Sequence, residues 1–331
     1  MTRSRIVPAL LTAGLMAFAG NAGAETAYVS NEKDNTVSAI DLDTLTVKQT
    51  YKVGKRPRAI LLSKDKSKLY ICASDSDTVQ VLDLKTGKII AELPSGDDPE
   101  QFALHPNGKW LFIANEDDNQ TTVLDVETAE VLREIPVGVE PEGMAVSPDG
   151  KWAVNTSETT NMVHWIDTAT MAIAANTLVD QRPRHAEFSD DGKLLWVSSE
   201  IGGTVSVIDM KSWKTVKRIE TLGPGFFMRS HENTPYVWAD VFFGPNKNVM
   251  HVIDKQSLEI VKTMRPEENA TVAHVEFTRD GKHALVSIWE DDGAVIVYDA
   301  ATLEEVKRLP MRKPSGKYNV WNKITFSEGT S

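Results

Sequence analysis

Thr36-Val37-Ser38-Ala39-Ile40-Asp41, Thr78-Val79-Gln80-Val81-Leu82-Asp83 and Thr204-Val205-Ser206-Val207-Ile208-Asp209 are three copies of one short strand. Variants of it end at Asp125, Asp167, Asp254 and Asp299. From Asp41 to Asp209 the spacing is 42 residues at each step, and the next two steps are 45 each. A period of about 40–50 residues with short alternating strands is the mark of a β-propeller, one four-stranded sheet per repeat. The repeat predicts an all-β fold of seven blades. The terminal Asp reads as a cap on the following turn, where its oxygens meet local N–H groups.

Aligning the copies on the preceding turn gives the strand that borders the central channel. Its starts are Arg56-Pro57-Arg58-Ala59, Asp98-Pro99-Glu100-Gln101, Glu140-Pro141-Glu142-Gly143, Arg182-Pro183-Arg184-His185, Pro224-Gly225-Phe226-Phe227 and Thr271-Val272-Ala273-His274. Extra residues around Phe243-Gly244-Pro245-Asn246 mark an insertion in blade six, and a seventh channel strand is expected near Gly316–Val320. The segment from Ala27 therefore starts inside a blade, whose innermost strand comes from the other end of the chain. Closing the ring with both ends leaves no large exposed edge.

One column of this alignment holds Arg58, Glu100, Glu142, Arg184, Phe226 and Ala273; the next holds Ala59, Gln101, Gly143, His185, Phe227 and His274. Convergent polar groups at one channel mouth form the default binding site, although such charges also pair with one another. His185 and His274 share a column two blades apart, and histidine there serves as an axial ligand or an acid–base group. His231 aligns with His105 of the hairpin turn His105-Pro106-Asn107-Gly108, so a turn role competes with a binding role. His164, His251 and His283 fall in outer strands or turns and read as structural.

The chain has 331 residues, 41% of them apolar, and a formal charge of −11. The acidity argues against nucleic acid and anionic lipid as partners and suits a basic protein. Residues 1–24 carry Arg3 and Arg5, an apolar run from Ile6 to Ala19 and Ala22-Gly23-Ala24. This is the pattern of a cleaved secretory signal; the run is too short for the roughly 20 residues of a spanning helix. A monomeric propeller over residues 25–331 in the periplasm, without membrane attachment after cleavage, is the expectation. Cys72 is the single cysteine, so neither an internal disulfide nor a Cys-x-x-Cys-His heme attachment is available. It reads as a small buried apolar residue. The sequence has no Gly-x-Ser-x-Gly elbow, phosphate loop, His-Glu-x-x-His or calcium loop, and no metal site is expected.

Tyr28-Val29-Ser30-Asn31 and Trp196-Val197-Ser198-Ser199-Glu200 resemble the YVTN repeats of exported bacterial propellers. From Glu25 to about Glu220 the chain is similar to propellers associated with PQQ-dependent catabolism, on Asp98-Pro99-Glu100-Gln101-Phe102 and Glu140-Pro141-Glu142-Gly143-Met144. The last third resembles the heme d1 domain of cytochrome cd1 nitrite reductases and related d1-biosynthesis proteins. Gly223–His231, Pro235–Asp240, Ala273–Phe277 and Lys313–Lys323 carry that likeness. The resemblance implies a non-covalent heme d1 in the channel, with Arg184, Arg229, His231 and His274 as contacts, by axial ligation or by pairing with tetrapyrrole carboxylates. It implies a carrier, a maturation factor or a redox protein that depends on a partner such as a cytochrome c or quinoprotein. A non-catalytic scaffold for such a system, or a lactone hydrolase, are the competing readings.

Overall fold

The computed structural model describes residues 25–223, 225 and 227–318, with residues 316–318 described as backbone. Residues 1–24, Phe226 and the tail from Asn319 lie outside the described residues, and with them the secretory-signal reading, one member of the channel column and part of the resemblance. Seven four-stranded antiparallel sheets follow one another, each ordered from a channel-side strand to an outermost strand. Blade 1 joins Pro314–Tyr318 to Thr26–Asn31, Thr36–Asp41 and Thr46–Lys52. Blades 2 to 7 have the channel strands Pro57–Leu62, Pro99–Leu104, Pro141–Val146, Pro183–Phe188, Met228–Ser230 and Val272–Phe277. The closing strand begins two residues earlier than the repeat predicts, at Pro314. It pairs antiparallel with the first strand, Tyr28 opposite Tyr318 and Asn31 opposite Pro314.

The alternation of apolar residues explains how the blades stack. Side chains on one strand point to opposite faces, and both faces of a blade are covered by neighbours. Thus Phe112, Val123 and Ile135 of blade 3 pack on Met144, Ala153 and Ile166 of blade 4. At the seam, Leu285, Val295 and Val297 of blade 7 pack on Ala27, Val29 and Ile40 of blade 1. Only the outermost strands face water, and each keeps one anchor buried near its end: Tyr51, Leu93, Ile135, Ile219, Met264 and Leu309 among them.

The Asp columns do what the sequence indicates. Asp41 Oδ1 accepts hydrogen bonds from the Thr44 amide at 2.8 Å and its hydroxyl at 3.0 Å, and these bonds hold its carboxyl below the usual range. Asp83, Asp167 and Asp209 repeat the arrangement. The same turn forces a left-handed residue four positions after the Asp: Leu45, Ala129, Met171, Trp213, Leu258 and Leu303 have φ between 51° and 63°, and only Gly87 relieves the strain. A left-handed non-glycine residue costs about 1–2 kcal/mol. Ala129→Gly is therefore expected to stabilise the fold by about 0.5–1 kcal/mol, read as a higher urea midpoint with unchanged slope.

Candidate functional site

The mouth where the channel strands begin is built by a cross-blade device. Arg56, Asp98, Glu140 and Arg182, each just before a strand-opening proline, adopt φ of 49–59°. Their amides donate to the side-chain oxygens of Asn35, Asp77, Asn119 and Asn161 of the preceding blade, at 3.0–3.1 Å. This clamp turns Arg56 and Arg182 over the channel. Gly143 permits a close approach of two channel strands: a Cβ there would lie 2.6 Å from the Arg184 carbonyl oxygen.

The result is a cavity of about 270 Å³, open at one side, at the lower edge of the roughly 300–1,000 Å³ range of small-molecule sites. Its two walls differ. Blades 1 to 5 supply Glu32, Arg56, Arg58, Glu100, Glu116, Glu142, Arg182 and Arg184; blades 6 and 7 supply Phe227, Phe242, Phe243, His274 and Trp289.

On the polar wall Arg58 pairs with Glu100 at 2.7 Å and reaches across the channel to Glu142 at 3.3 Å. Arg56 pairs with Glu100 at 2.7 Å and Asp98 at 3.0 Å. Arg184 pairs with Glu158, with Glu200 at 2.6 Å and with Glu142 at 3.3 Å. The oxygens of Asp98, Glu100 and Glu116 lie within 4.8 Å of one another, but Arg56 and Arg58 occupy the first two, which makes the group part of the ion-pair network. Carboxylates outnumber arginines here, and three are displaced in their titration: burial pushes Glu100 well above the usual carboxylate range, against the pull of Arg58. Glu116 is pushed up to about 7 by burial and by the Glu142 and Asp98 charges. Glu158 is pushed up to about 8 by burial and Glu142, against the pull of Arg184.

On the aromatic wall the Phe227 and His274 rings have centroids 3.9 Å apart, and Phe242 lies 5.5 Å from Trp289. Lys313 sits 4.3 Å over the Trp289 ring. Asp240, fully buried, fixes the pair: Oδ1 accepts the Phe227 amide and Oδ2 the His274 amide, each at 2.9 Å. His274 itself is left-handed, φ 49°, at a bulge in its strand.

The sequence candidates separate by depth. Arg58, Glu100, Glu142, Arg184, Phe227 and His274 line the cavity. His185 lies beneath it, with Nδ1 3.2 Å from Gln101 Oε1 across the channel and Nε2 3.6 Å from Glu187. Arg229 is deeper still, ion-paired with Glu187 and 3.7 Å from Glu276, so its charge is compensated away from the mouth. His231 is a correction: it lies past the far end of its strand and does not border the cavity. Its Nδ1 accepts the Asn233 amide and its Nε2 meets the Arg279 carbonyl. His105 makes the same two bonds, to the Asn107 amide and the Gly150 carbonyl. The turn chemistry outcompetes a ligand role. His164 and His251 accept the Gly138 and Leu222 amides in outer strands, and Cys72 is buried.

Sequence reasoning missed Glu32, Glu116, Glu158 and Glu200, each one residue past the end of a second strand. The signal was present: Glu116, Glu158 and Glu200 are 42 residues apart, and Glu32 falls on the same period.

These features define a class: a seven-bladed β-propeller with a central cavity that is charged on one side and aromatic on the other. Comparison with known proteins narrows it. The cytochrome D1 heme domain model matches residues 198–323, and the model described as lactonase, 7-bladed beta-propeller, matches residues 16–135. Dihydro-heme d1 dehydrogenase of Pseudomonas aeruginosa is 60% identical over 129 residues, which are 39% of this chain and 26% of that protein. Protein NirF of Stutzerimonas stutzeri is 31% identical over 112 residues, 34% of this chain and 28% of its own. The match thus spans about a quarter of the length of these curated relatives. The solved structure of dihydro-heme d1 dehydrogenase NirN in complex with DHE superimposes with a TM-score of 0.74 at 30% identity, covering 91% of this chain and 76% of that one. Kuenenia stuttgartiensis hydrazine synthase shares the fold at 22% identity, TM-score 0.66, over 77% of this chain and 86% of its own. The chain belongs to the family of propellers represented by the NirN structure.

Two outcomes follow from the site's electrostatics. Asp240→Ala strands two buried amides, at about 1–3 kcal/mol each, so a loss of about 2–5 kcal/mol is expected in urea unfolding. The second concerns pH. The ordinary value for Glu158 is 4.5, so above it the folded chain holds a proton that the unfolded chain has released. Stability from this group is therefore full below about 4.5 and declines as pH climbs toward about 8. Relative to wild type, Glu158→Gln should gain stability as pH rises across that window.

Proposed function

We propose that this propeller binds a d1-type tetrapyrrole in its central cavity, acting in the periplasm as a carrier, maturation factor or partner-dependent redox protein. The observation that carries the reading is the two-sided cavity. An aromatic wall suits a flat conjugated ring, and arginines held opposite suit its carboxylates. The donor set supports the fit as well: His274 stands within the aromatic wall, beside Phe227 and Phe242, and is the residue of this chain suited to an axial position. Arg56, Arg58, Arg182 and Arg184 would take the acidic substituents, exchanging part of their pairing with the wall glutamates. Both ring nitrogens of His185 already face polar groups, which favours an acid–base rather than an axial role. Bound there, the tetrapyrrole would supply the redox or ligand chemistry of its iron.

The relatives support the same reading. The NirN structure is described as a complex with DHE, and the d1 heme-domain model covers the blades that form the aromatic wall. Export rests on the basic, apolar and small-residue order of residues 1–24. The acidic surface suits a basic redox partner, such as a cytochrome c or a quinoprotein.

The test is an absorption titration of the protein with heme d1. A stoichiometric, shifted spectrum is expected. His274→Asn, which tolerates the left-handed backbone, should alter the spectrum. Arg56→Gln should weaken binding by about tenfold to a hundredfold, the worth of one charge-assisted hydrogen bond. His231→Ala should leave both unchanged. An unshifted spectrum would sink the reading in favour of a non-catalytic scaffold.

A further inference from the structure

We infer that His185 and Glu187 form a proton route through the floor of the cavity, linking a ligand held there to a groove on the opposite face. The inference rests on the ligand reading above. It starts from the way the channel is closed. Gln101 of blade 3 and His185 of blade 5 meet across it, 3.2 Å apart, although a blade lies between them. Gln101 also lines the cavity, and its buried Nε2 has no hydrogen-bond partner among the described residues. The floor thus offers a polar group to whatever fills the space above.

The other side of the imidazole leads away from the mouth. Two residues further along the same strand face, Glu187 stands 3.6 Å from His185 Nε2, a separation that one water or a small ring rotation bridges. Glu187 is ionised, held down to about 2, against its burial, by Arg229 and His185. It also lines a groove of about 240 Å³ with Asp190, Trp196, Val237 and Lys255, where blades 5 and 6 meet at the far end of the channel. One imidazole therefore stands between Gln101, which lines the cavity, on its Nδ1 side and Glu187, which lines the groove, on its Nε2 side. The charged groups that face it from the described residues include Glu187 on its own strand, with Arg229 beyond Glu187 and Glu276 beyond Arg229. Gln101 and Phe227 face it from the neighbouring strands, with the Phe227 ring at 5.5 Å.

A ligand seated in the cavity blocks the mouth, so any group on it that gains or loses a proton needs another exit. Imidazole moves a proton by taking it at one nitrogen and giving it at the other. Each proton that leaves Nδ1 passes to the ligand through a water beside Gln101, whose carboxamide carries no proton itself, and is replaced at Nε2 by one from groove water, steered by the Glu187 carboxylate. The reverse sequence drains a proton released by the ligand. No electron moves in either direction. Glu187 is a positioning residue that acts through His185, and its ion pair with Arg229 keeps it fixed.

The test is deuterium exchange at histidine C2, followed by mass spectrometry on the full chain, with and without heme d1. In the loaded wild type, His185 should keep exchanging near its unloaded rate, while His274 slows. Glu187→Gln removes the charge that favours the imidazolium and should slow His185 about tenfold, the effect of a one-unit change in its titration. Leu194→Trp, which narrows the groove without touching a charge, should slow His185 in the loaded protein alone. Loss of His185 exchange together with that of His274 on loading would overturn the route. If heme d1 produces no spectral change, the ligand reading fails separately. The unloaded comparison still decides the Glu187 coupling, which is refuted if Glu187→Gln leaves the His185 rate unaltered.

Discussion

Everything in this molecule depends on a strand borrowed from the far end of the chain. Pro314–Tyr318 pairs with Thr26–Asn31, completing a blade that neither end makes alone. Without it the first blade would expose a row of unpaired amides and carbonyls along the channel. Blade 7 would also lose the partner for Leu285, Val295 and Val297. The channel has a defined diameter because the ring is closed, and that diameter lets residues two blades apart touch. The pairs Arg58–Glu142 and Gln101–His185 are the direct evidence. Loop-closure entropy grows only slowly with length, so joining the ends costs little relative to the seam it buries.

Within the ring, the binding potential comes from broken symmetry. Five blades present Pro followed by a charged or polar residue, and their charges neutralise one another in a continuous network. Burying an unpaired charge is costly, which accounts for every cavity arginine having more than one carboxylate partner. Blades 6 and 7 depart from the pattern. The insertion around Phe242 and Phe243 brings aromatic rings to the mouth, and Asp240 replaces the small residues of other blades (Ser30, Cys72, Ala114, Thr156, Ser198 and Ser287) to hold the Phe227 and His274 backbones. A cavity with one charged and one aromatic wall follows from these substitutions and from nothing in the repeat itself.

The histidines show how one residue type serves four roles under one fold. His105 and His231 lock hairpin turns, His164 and His251 accept backbone amides between blades, His185 spans the channel floor and His274 enters the aromatic wall. Neighbours decide among them. In outer strands, burial without an acidic partner holds His164 and His251 below their ordinary values, keeping a lone pair available to the Gly138 and Leu222 amides. The likeness of Arg229 and His231 to d1-type sequences identified a family correctly, but family likeness in a motif does not place each of its residues in the site.

The sequence alone determined the all-β class, the seven blades, the blade-six insertion and the closure by both ends, because a 42-residue period and a two-residue alternation are one-dimensional signals. It also placed Arg58, Glu100, Glu142, Arg184, Phe227 and His274 at one channel mouth, because residues in one column of a propeller share one height. Only the tertiary structure decided which charges face the cavity and which are spent on neighbours. The glutamates after the second strands belong to a different element of each blade and reach the mouth through the twist of the sheet. His185 reached the floor because the closed ring brings blade 5 within 3.2 Å of blade 3. Arg229 was taken out of the mouth by two carboxylates on flanking blades. Such pairings arise between residues 42, 47 or 84 positions apart, at distances set by ring closure, and no local pattern in the chain encodes them.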